Sequence, residues 1–430
     1  MLMNNNRRIL VISNNCFSQS DSNGRTLGNL FSGWSKVNLA QLCVISKDPN
    51  WELCDNYFCL EDRVVLKAFL HCKKAEGRIL HPSSADLHTD KSSTETNCVN
   101  FGKKTLSKIL LRELVWSCKR WNSKGFQQWV EEFNPEAIVL QVGDTFFMIE
   151  IAIYLARTRG IPLLVYNTEG YFFFPRNWHF PSFLDSILFP FYKSCYSKKF
   201  CNLMEVASHS VYLNDMLQED YDKQFGGPSS VIYNSSDLEA FNQTLFVNDY
   251  PRISYLGNLG LDRDSALIEV GDVLSQINPD FHIDIYGSAD ETMQHKFKNA
   301  KGVKYHGVVS YEKVKEVIEQ SDILFHVESE SGYKERQLQY AFSGKIADSI
   351  SSGKCFILYG PKELACSKYI INTGAGWFVD SKSQLKDVIE DIMSNVEKRN
   401  AVLTKAKLIS LKNHSLRENA QKFQKLLNTI

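Results

Sequence analysis

A lysine and an aspartate three positions apart stand out in the stretch FSGKIADSISSGKCFILYGP, residues 342–361. The pattern predicts a short helix that begins near Ser343, turns at a glycine and leads into a buried strand. The N–H groups at the start of such a helix attract phosphate, and Lys345 in its first turn adds a positive charge. Asp348, one turn later, can accept hydrogen bonds from a ribose diol. The alternative is an ion pair between Lys345 and Asp348 on a solvated face.

Small or polar residues end nearly every strand that we predict in the second half of the chain. A glycine at a strand end lets a ligand approach the backbone, although a tight turn from strand to helix also requires glycine. Several such ends on one rim favour a binding site. These strand-end residues are Gly257, Asn258, Gly287, His306, Gly307, Glu328 and Gly360.

Strand and helix patterns alternate in both halves of the chain. Apolar, β-branched segments predict strands at 8–13, 39–46, 137–143, 161–170, 208–214 and 229–234, and again at 253–258, 281–287, 303–307, 322–328 and 355–360. Helical patterns between them indicate parallel sheets, and so an α/β fold of two Rossmann-like domains that face a cleft. We place the domains at 1–235 and 250–405, with an amphipathic helix at 406–430 that packs back across them.

Composition excludes several classes of protein. Because 49 basic residues balance 49 acidic ones, the chain has no electrostatic footprint for duplex nucleic acid. No apolar run reaches the roughly 18 residues of a membrane helix, and the first one is too short for a signal peptide. Eleven scattered cysteines without a CxxC motif favour free, mostly buried thiols in the cytoplasm. The absence of GxGxxG after a strand disfavours a dehydrogenase.

Aromatic residues and lysines concentrate between positions 177 and 200. Such a segment could rest on an anionic membrane that carries a lipid-linked acceptor. Aromatic core packing beside a solvated lysine cluster is the alternative. The residues concerned are Trp178, Phe180, Phe183, Phe189, Phe191, Tyr192, Lys193, Lys198 and Lys199.

Six segments carry a resemblance to a known family: NGRTLGNLFSGW, VIYNSSDLEAF, ISYLGNLGLDR, YHGVV, DILFHVES and the stretch at 342–361. In order and approximate spacing they resemble the GT-B glycosyltransferases of the retaining, family 4 type, especially those of bacterial capsule and surface-polysaccharide clusters. The resemblance covers most of the chain. It implies transfer of a sugar from a nucleotide-sugar, UDP- or GDP-linked, to a glycan or lipid-linked glycan acceptor.

The resemblance also implies roles for residues of the second half. Arg263 and Lys345, with the N–H groups near Ser343 and Gly344, would stabilise charge on the leaving diphosphate. A surface ion pair is the alternative for Arg263. The strand-end residues that match the family's pocket for the nucleotide base are His306, Gly307 and Val308, although His306 by itself favours a structural role.

One departure from the family concerns two glutamates that many relatives carry eight positions apart. Asp348 stands where the second glutamate, which binds ribose, would be. Tyr340 stands at the position of the first, so that Glu328 or a residue of the loop before Ser343 would supply its contacts instead.

In the first half, the resemblance places Gly24 and Arg25 in a loop that approaches the donor phosphates. Asp144 and Glu169 follow strands at positions where relatives carry a histidine or an acidic group near the reacting centre. Either carboxylate could equally be a helix cap or a turn acceptor.

The predicted enzyme needs no metal and no cofactor beyond the nucleotide-sugar, because no DxD-like site is evident and a helix dipole with basic residues can replace the metal. We expect it in the cytoplasm or peripherally at the inner face of the cell membrane. Two other hypotheses remain. One is a GT-B sugar-nucleotide epimerase, and the other is a non-catalytic partner subunit or glycan-binding protein, which Tyr340 in place of a glutamate favours.

Overall fold

The computed structural model describes residues 7–82, 105–174, 182–238, 246, 250–330 and 339–430. They fall into two compact units. The first unit runs up to Ile232 and also includes Ala420–Ile430, and the second unit is Tyr233–Asn419. Each unit is built on a largely parallel sheet with helices between the strands. This arrangement confirms the predicted α/β class with two Rossmann-like domains.

The described part of the first unit contains one eight-stranded sheet with the order β4-β3-β2-β1-β5-β6-β7-β8. The pairing is parallel throughout, except that β4 runs antiparallel to β3. The strands are β1 Ile9–Asn15, β2 Leu39–Ile45, β3 Tyr57–Cys59, β4 Arg78–Leu80, β5 Ala137–Gln141, β6 Leu163–Asn167, β7 His209–Tyr212 and β8 Ser229–Val231. Sequence patterns predicted six of these strands and missed β3 and β4, which are three residues each.

The helices of the first unit begin and end at residues with the expected chemistry. The side chain of Asp21 accepts a hydrogen bond from the Gly24 N–H, and Gly160 adopts the left-handed conformation that ends a helix. The helices are α1 Ser22–Leu30, α2 Asp62–Leu70, α3 Leu106–Ser117, α4 Lys124–Phe133, α5 Phe147–Arg159, α6 Phe183–Val206 and α7 Asp215–Phe225, with 3₁₀ turns at Lys36–Asn38 and Tyr171–Phe173.

The last residues of the chain complete the core of the first unit. Phe423 and Leu427 are fully buried there, and the Phe423 ring packs edge-on against Phe31 with centroids 5.3 Å apart. Arg7 donates hydrogen bonds to the carbonyls of Leu427 and Ile430. The two ends of the chain therefore belong to the same unit.

In the second unit, the described residues form a six-stranded sheet with the order β11-β10-β9-β12-β13-β14 and parallel pairing throughout. The strands are β9 Ile253–Leu256, β10 Ile283–Tyr286, β11 Val303–Gly307, β12 Ile323–Val327, β13 Cys355–Tyr359 and β14 Trp377–Val379. Counted within this unit, the order is 3-2-1-4-5-6, as in dinucleotide-binding domains, and it reverses between β9 and β12. Ligands of such sheets bind at the carboxyl ends of the strands that flank the reversal.

The helices of the second unit include the one predicted after Ser343. They are α8 Arg263–Ile277, α9 Glu291–Asn299, α10 Tyr311–Gln320, α11 Gly344–Ser351, α12 Ala365–Thr373, α13 Lys382–Ser394 and α14 Val396–Ile409. The last helix, α15 Leu416–Thr429, begins in the second unit, and its residues from Ala420 onward belong to the first. No helix among the described residues has both the length and the hydropathy of a segment that crosses a membrane.

The predicted helix at 406–430 is interrupted in the structure. A π-helical turn at Ser410–His414 separates α14 from α15. This turn buries His414 completely, with Nδ1 2.8 Å from the Asn234 carbonyl oxygen and Nε2 2.8 Å from the Tyr369 hydroxyl. Because these partners lie far away in the sequence, the amphipathic pattern could not reveal the interruption.

Candidate functional site

A buried ion pair occupies the point where the strand order of the second sheet reverses. Arg263 is the first residue of α8, which follows β9, and Glu328 follows β12. Nη2 of the guanidinium lies 2.8 Å from Oε2 and 3.0 Å from Oε1 of Glu328, and Nε lies 3.1 Å from Oε2. The side chains are only 10% and 2% exposed. The structure thus joins two predicted site residues that are 65 positions apart in the sequence.

His326 also contacts the Glu328 carboxylate. Nε2 of His326 lies 2.8 Å from Oε1 of Glu328. Burial acts to raise the pKa of Glu328, but the hydrogen bond and charge of His326 and the Arg263 guanidinium outweigh it, so the pKa stays below its ordinary value. Glu328 is therefore held as a carboxylate inside the fold.

Potential metal ligands also meet at Glu328. Ligand atoms of His326, Glu328 and Cys366 lie within 4.8 Å of one another. However, both carboxylate oxygens already bind Arg263, whose positive charge would repel a metal cation. Burial also raises the pKa of the Cys366 thiol well above its ordinary value, which keeps the sulfur protonated. These residues fit an ion-pair network better than a metal site.

The helix α11 begins as predicted at the end of the loop before it. The Ser343 hydroxyl accepts a hydrogen bond from the Lys345 N–H at 3.3 Å, and this caps the helix. Asp348 is buried, and the hydroxyl of Ser236 donates to its Oδ1 at 2.8 Å. This burial argues against an ion pair of Asp348 on a solvated face.

A small cavity links this helix to the buried ion-pair network. Lys345, Asp348 and His326 all line it, and its volume of about 20 Å³ is enough for one water molecule. Since His326 contacts Glu328, the structure brings three predicted site residues of the second half, Glu328, Lys345 and Asp348, to neighbouring positions.

Three of the strand-end glycines pack closely against other parts of the chain. A Cβ atom on Gly287 would overlap the Gly257 carbonyl oxygen, and one on Gly257 would lie 2.5 Å from the Tyr255 hydroxyl. A Cβ on Gly360 would lie 3.0 Å from Glu328. Gly307 differs, since it has a φ of +79° and open space around the missing side chain. These contacts support tight packing as the reason for Gly257, Gly287 and Gly360.

The side chain of His306 has clear partners. Its ring stacks on Tyr286 with centroids 4.7 Å apart and an interplanar angle of 13°. Nε2 lies 2.6 Å from Oδ1 of Asp284. Val308, two residues after His306, is exposed. His306 therefore has a structural explanation, and its backbone stands at a strand end beside an exposed surface.

The predicted site residues of the first half follow neighbouring strands. Gly24 and Arg25 lie in the first turn of α1 after β1, Asp144 follows β5, and Glu169 follows β6. Because β1, β5 and β6 are adjacent and parallel, all four residues lie near the carboxyl ends of neighbouring strands in the first sheet. The backbone carbonyls of Asp144 and Glu169 accept hydrogen bonds from the hydroxyls of tyrosines, Tyr192 and Tyr221 respectively.

Sequence reasoning missed Glu113, a buried carboxyl group near Asp144. Its Oε1 accepts the Phe146 N–H at 3.1 Å, and no partner for Oε2 exists among the described residues. Burial raises the pKa of Glu113 to about 8. Its signal in the sequence is a lone glutamate within the apolar run ILLRELVW.

Known proteins share the architecture described above. Residues 270–425 match a family model described as Glycosyl transferase-like. A structure of Anabaena Alr3699/HepE in complex with UDP is similar, with 13% identity, a TM-score of 0.62, and coverage of 98% of this chain and 100% of that chain. A glycosyltransferase from Rickettsia africae has 12% identity, a TM-score of 0.54, and coverage of 99% and 100%.

The calicheamicin glycosyltransferase CalG4 is also similar, with 11% identity, a TM-score of 0.51, and coverage of 99% of each chain. The search of curated proteins found no match. At these identities the solved structures show the fold alone. The chain therefore has the GT-B fold, and its residues 270–425 are similar to the Glycosyl transferase-like family.

Proposed function

We propose that this chain is a glycosyltransferase that takes a sugar from a nucleotide-sugar and passes it to a glycan or lipid-linked glycan. The observation that carries the proposal is the strand-order reversal of the second sheet. It combines a dinucleotide-type strand order with the buried Arg263–Glu328 pair, and the family model matches residues 270–425, which include Glu328. The capped start of α11 beside Lys345 adds an anion-binding element.

The donor in this proposal is a UDP-sugar. The similar Anabaena protein was solved with UDP and with UDP-glucose. In the present chain, the N–H groups at the start of α11 and the Lys345 ammonium would hold the diphosphate, and Asp348 beside them would hold ribose. Arg263 would reach the diphosphate with Nη1, the guanidinium nitrogen that faces the Asn258 carbonyl oxygen at 3.5 Å.

The finer parts of the proposal rest on the family resemblance. They are retention of the anomeric configuration, a family 4-type mechanism without a metal ion, and a role in surface-polysaccharide synthesis. A lipid-linked acceptor would place the enzyme at the cytoplasmic face of a membrane, with peripheral contact through the segment 177–200. Residues 177–181 of that segment lie outside the described residues.

The first test is thermal stability in the presence of UDP, GDP, TDP and CMP, followed by the sugar nucleotides of the base that binds. A ligand at 100 times its dissociation constant stabilises a protein by about 2.7 kcal/mol, so a donor site produces a clear rise in melting temperature. We expect a rise with UDP that Lys345→Ala removes. Lys382→Ala is the matched control, because Lys382 is exposed on α13 of the same unit and pairs with Asp272.

The test also separates the alternatives. A rise with UDP followed by conversion of the free sugar nucleotide without an acceptor would indicate an epimerase. No rise with any nucleotide would contradict the proposal and favour a non-catalytic partner subunit or glycan-binding protein, in which Tyr340 stands in place of the family's first glutamate.

A further inference from the structure

The predicted ribose ligand, Asp348, is held by a residue that lies 112 positions earlier in the chain. The Ser236 hydroxyl donates to Oδ1 of Asp348 at 2.8 Å. The same hydroxyl oxygen accepts the N–H of Leu238 at 3.1 Å. Because a carboxylate has no hydrogen to donate, the single hydroxyl hydrogen of Ser236 is committed to Asp348. One serine therefore fixes one oxygen of the carboxylate from outside α11.

Burial restricts the rearrangement of this pair. Ser236 and Asp348 are each only 5% exposed, so bulk water cannot readily replace the hydrogen bond between them. A buried carboxylate that lost the Ser236 hydroxyl would also keep the cost of its burial. The direction in which Asp348 presents its carboxylate to a ligand therefore depends on Ser236.

Ser236 is itself held by the π-helical turn at Ser410–His414. The Ser236 N–H donates to the His414 carbonyl oxygen at 2.9 Å. Nδ1 of the fully buried His414 lies 2.8 Å from the carbonyl oxygen of Asn234, two residues before Ser236. The backbone at 234–236 is therefore held in place by contacts of the chain itself, as a group that must orient another side chain requires.

A second contact ties the same segment to the start of α11. Nδ2 of Asn234 donates to the carbonyl oxygen of Phe342 at 2.8 Å. Phe342 immediately precedes Ser343, the residue that caps the helix. The segment 234–236 thus contacts this region at the start of α11, where the proposed function places the diphosphate, and at Asp348, where it places ribose.

We propose that Ser236 is a positioning residue that sets the preference of this chain for a ribonucleotide by orienting Asp348 towards the ribose diol. The proposal rests on the proposed function, because it takes Asp348 as the residue that binds ribose. Ser236 does not touch the nucleotide and acts through Asp348. A 2′-deoxyribonucleotide offers the carboxylate one hydroxyl instead of two, so the orientation of Asp348 decides how strongly the two are distinguished.

The experiment compares the dissociation constants of UDP and 2′-deoxy-UDP by isothermal titration calorimetry. We expect the unchanged protein to bind UDP at least about tenfold more tightly, since a hydrogen bond to a charged group is lost with the deoxynucleotide. Ser236→Ala should lower this ratio at least about threefold. Ser236→Cys keeps the shape of the side chain and a weak donor, should lower the ratio in the same direction, and replaces the alanine variant if that variant does not fold.

Asp348→Ala should abolish the preference for UDP over 2′-deoxy-UDP. Adding Ser236→Ala to Asp348→Ala should leave the ratio of dissociation constants unchanged, because Ser236 acts only through Asp348. A different ratio in the double variant would overturn the proposal.

The matched control is Ser410→Ala. The Ser410 hydroxyl also donates to α11, but to the Ser351 hydroxyl oxygen at 2.7 Å rather than to Asp348. This control should keep the ratio of the unchanged protein. An equal fall in both variants, or an unchanged ratio in Ser236→Ala, would overturn this proposal alone. No binding of UDP to the unchanged protein would overturn the proposed function as well, so the two failures are distinguishable.

Discussion

Arg263 and Glu328 form a buried, two-point ion pair that joins the start of α8 to the end of β12. Bulk water cannot solvate either charge if its partner is removed, since both side chains are at most 10% exposed. A buried charge that loses its partner keeps the cost of burial without the compensating attraction. The pair therefore makes the stability of the second unit depend on two residues that also stand at its candidate donor site.

The first prediction is that Glu328→Ala lowers the free energy of unfolding by about 3–5 kcal/mol, because it leaves the Arg263 guanidinium buried without its carboxylate. Urea denaturation measures the change. Asp272→Ala is the control, since it breaks an exposed pair with Lys382 and should cost at most about 1 kcal/mol. Similar losses for both substitutions would contradict the assigned role of burial.

The second prediction concerns catalysis. Lys345→Ala and Arg263→Ala should each lower sugar transfer by about two orders of magnitude, the usual cost of removing one group that stabilises developing charge. Lys345→Ala is the cleaner test, because Arg263→Ala also leaves the buried Glu328 carboxylate without its partner. Turnover with a UDP-sugar is compared with that of Lys382→Ala. Near-wild-type rates for both substitutions would remove Lys345 and Arg263 from the candidate site.

The third prediction is that sugar transfer does not need a divalent cation. Arg263, Lys345 and the start of α11 would supply the positive charge that a metal ion supplies elsewhere. Turnover measured with EDTA should equal turnover without it. Loss of activity with EDTA and its recovery on addition of Mg²⁺ or Mn²⁺ would show that this prediction is wrong.

The fourth prediction uses Glu113. Its pKa of about 8 in the folded chain exceeds its ordinary value of 4.5 because the carboxyl group is buried. The folded state therefore keeps a proton that the unfolded chain loses, and this contribution to stability, complete below about pH 4.5, is lost as the pH rises to about 8. The slope approaches about 1.4 kcal/mol per pH unit within that window.

Glu113→Gln should remove this slope, because the amide does not ionise. Urea denaturation of both proteins at several values between pH 5 and pH 8 measures the difference. The variant should gain relative to the wild type as the pH rises, whereas parallel pH profiles would show that Glu113 ionises normally in the fold.

The fifth prediction tests the close approach of two strand ends. Gly287→Ala should destabilise the protein by about 1–3 kcal/mol, because its Cβ would overlap the Gly257 carbonyl oxygen. Gly125→Ala in α4 is the control, since its Cβ would make only an ordinary 3.6 Å contact with Glu76. The melting temperatures of the two variants are compared. Equal values would mean that the backbone near Gly287 rearranges without loss of stability.

The sequence predicted the central strands well for a physical reason. A parallel strand covered by helices on both faces is apolar throughout, as in β12 and β13, where every residue is buried. Short strands lack this signal. β4, for example, has three residues, Arg78–Leu80, that are exposed or half-buried, and its antiparallel pairing depends on β3 rather than on its own composition.

The sequence predicted individual residues of the candidate site but not the contacts between them. Ser343, Lys345 and Asp348 are local, so helix periodicity and capping located them. The partner of Arg263 lies 65 positions away, and the sequence offered only a surface ion pair as the alternative role of Arg263. Glu113 was missed because a single glutamate in a helix usually faces water.

The shared unit of the two chain ends bears on how the protein is made. Ile9–Asn15 emerges from the ribosome early in translation. Phe423 and Leu427, which fill the same core, are synthesised only after all of the second unit. The core of the nascent first unit therefore lacks the side chains that pack beside Phe31 until the second unit has been synthesised, whereas the second unit can fold as soon as its own residues emerge. During translation, the later half of this chain is the first that can reach its finished form.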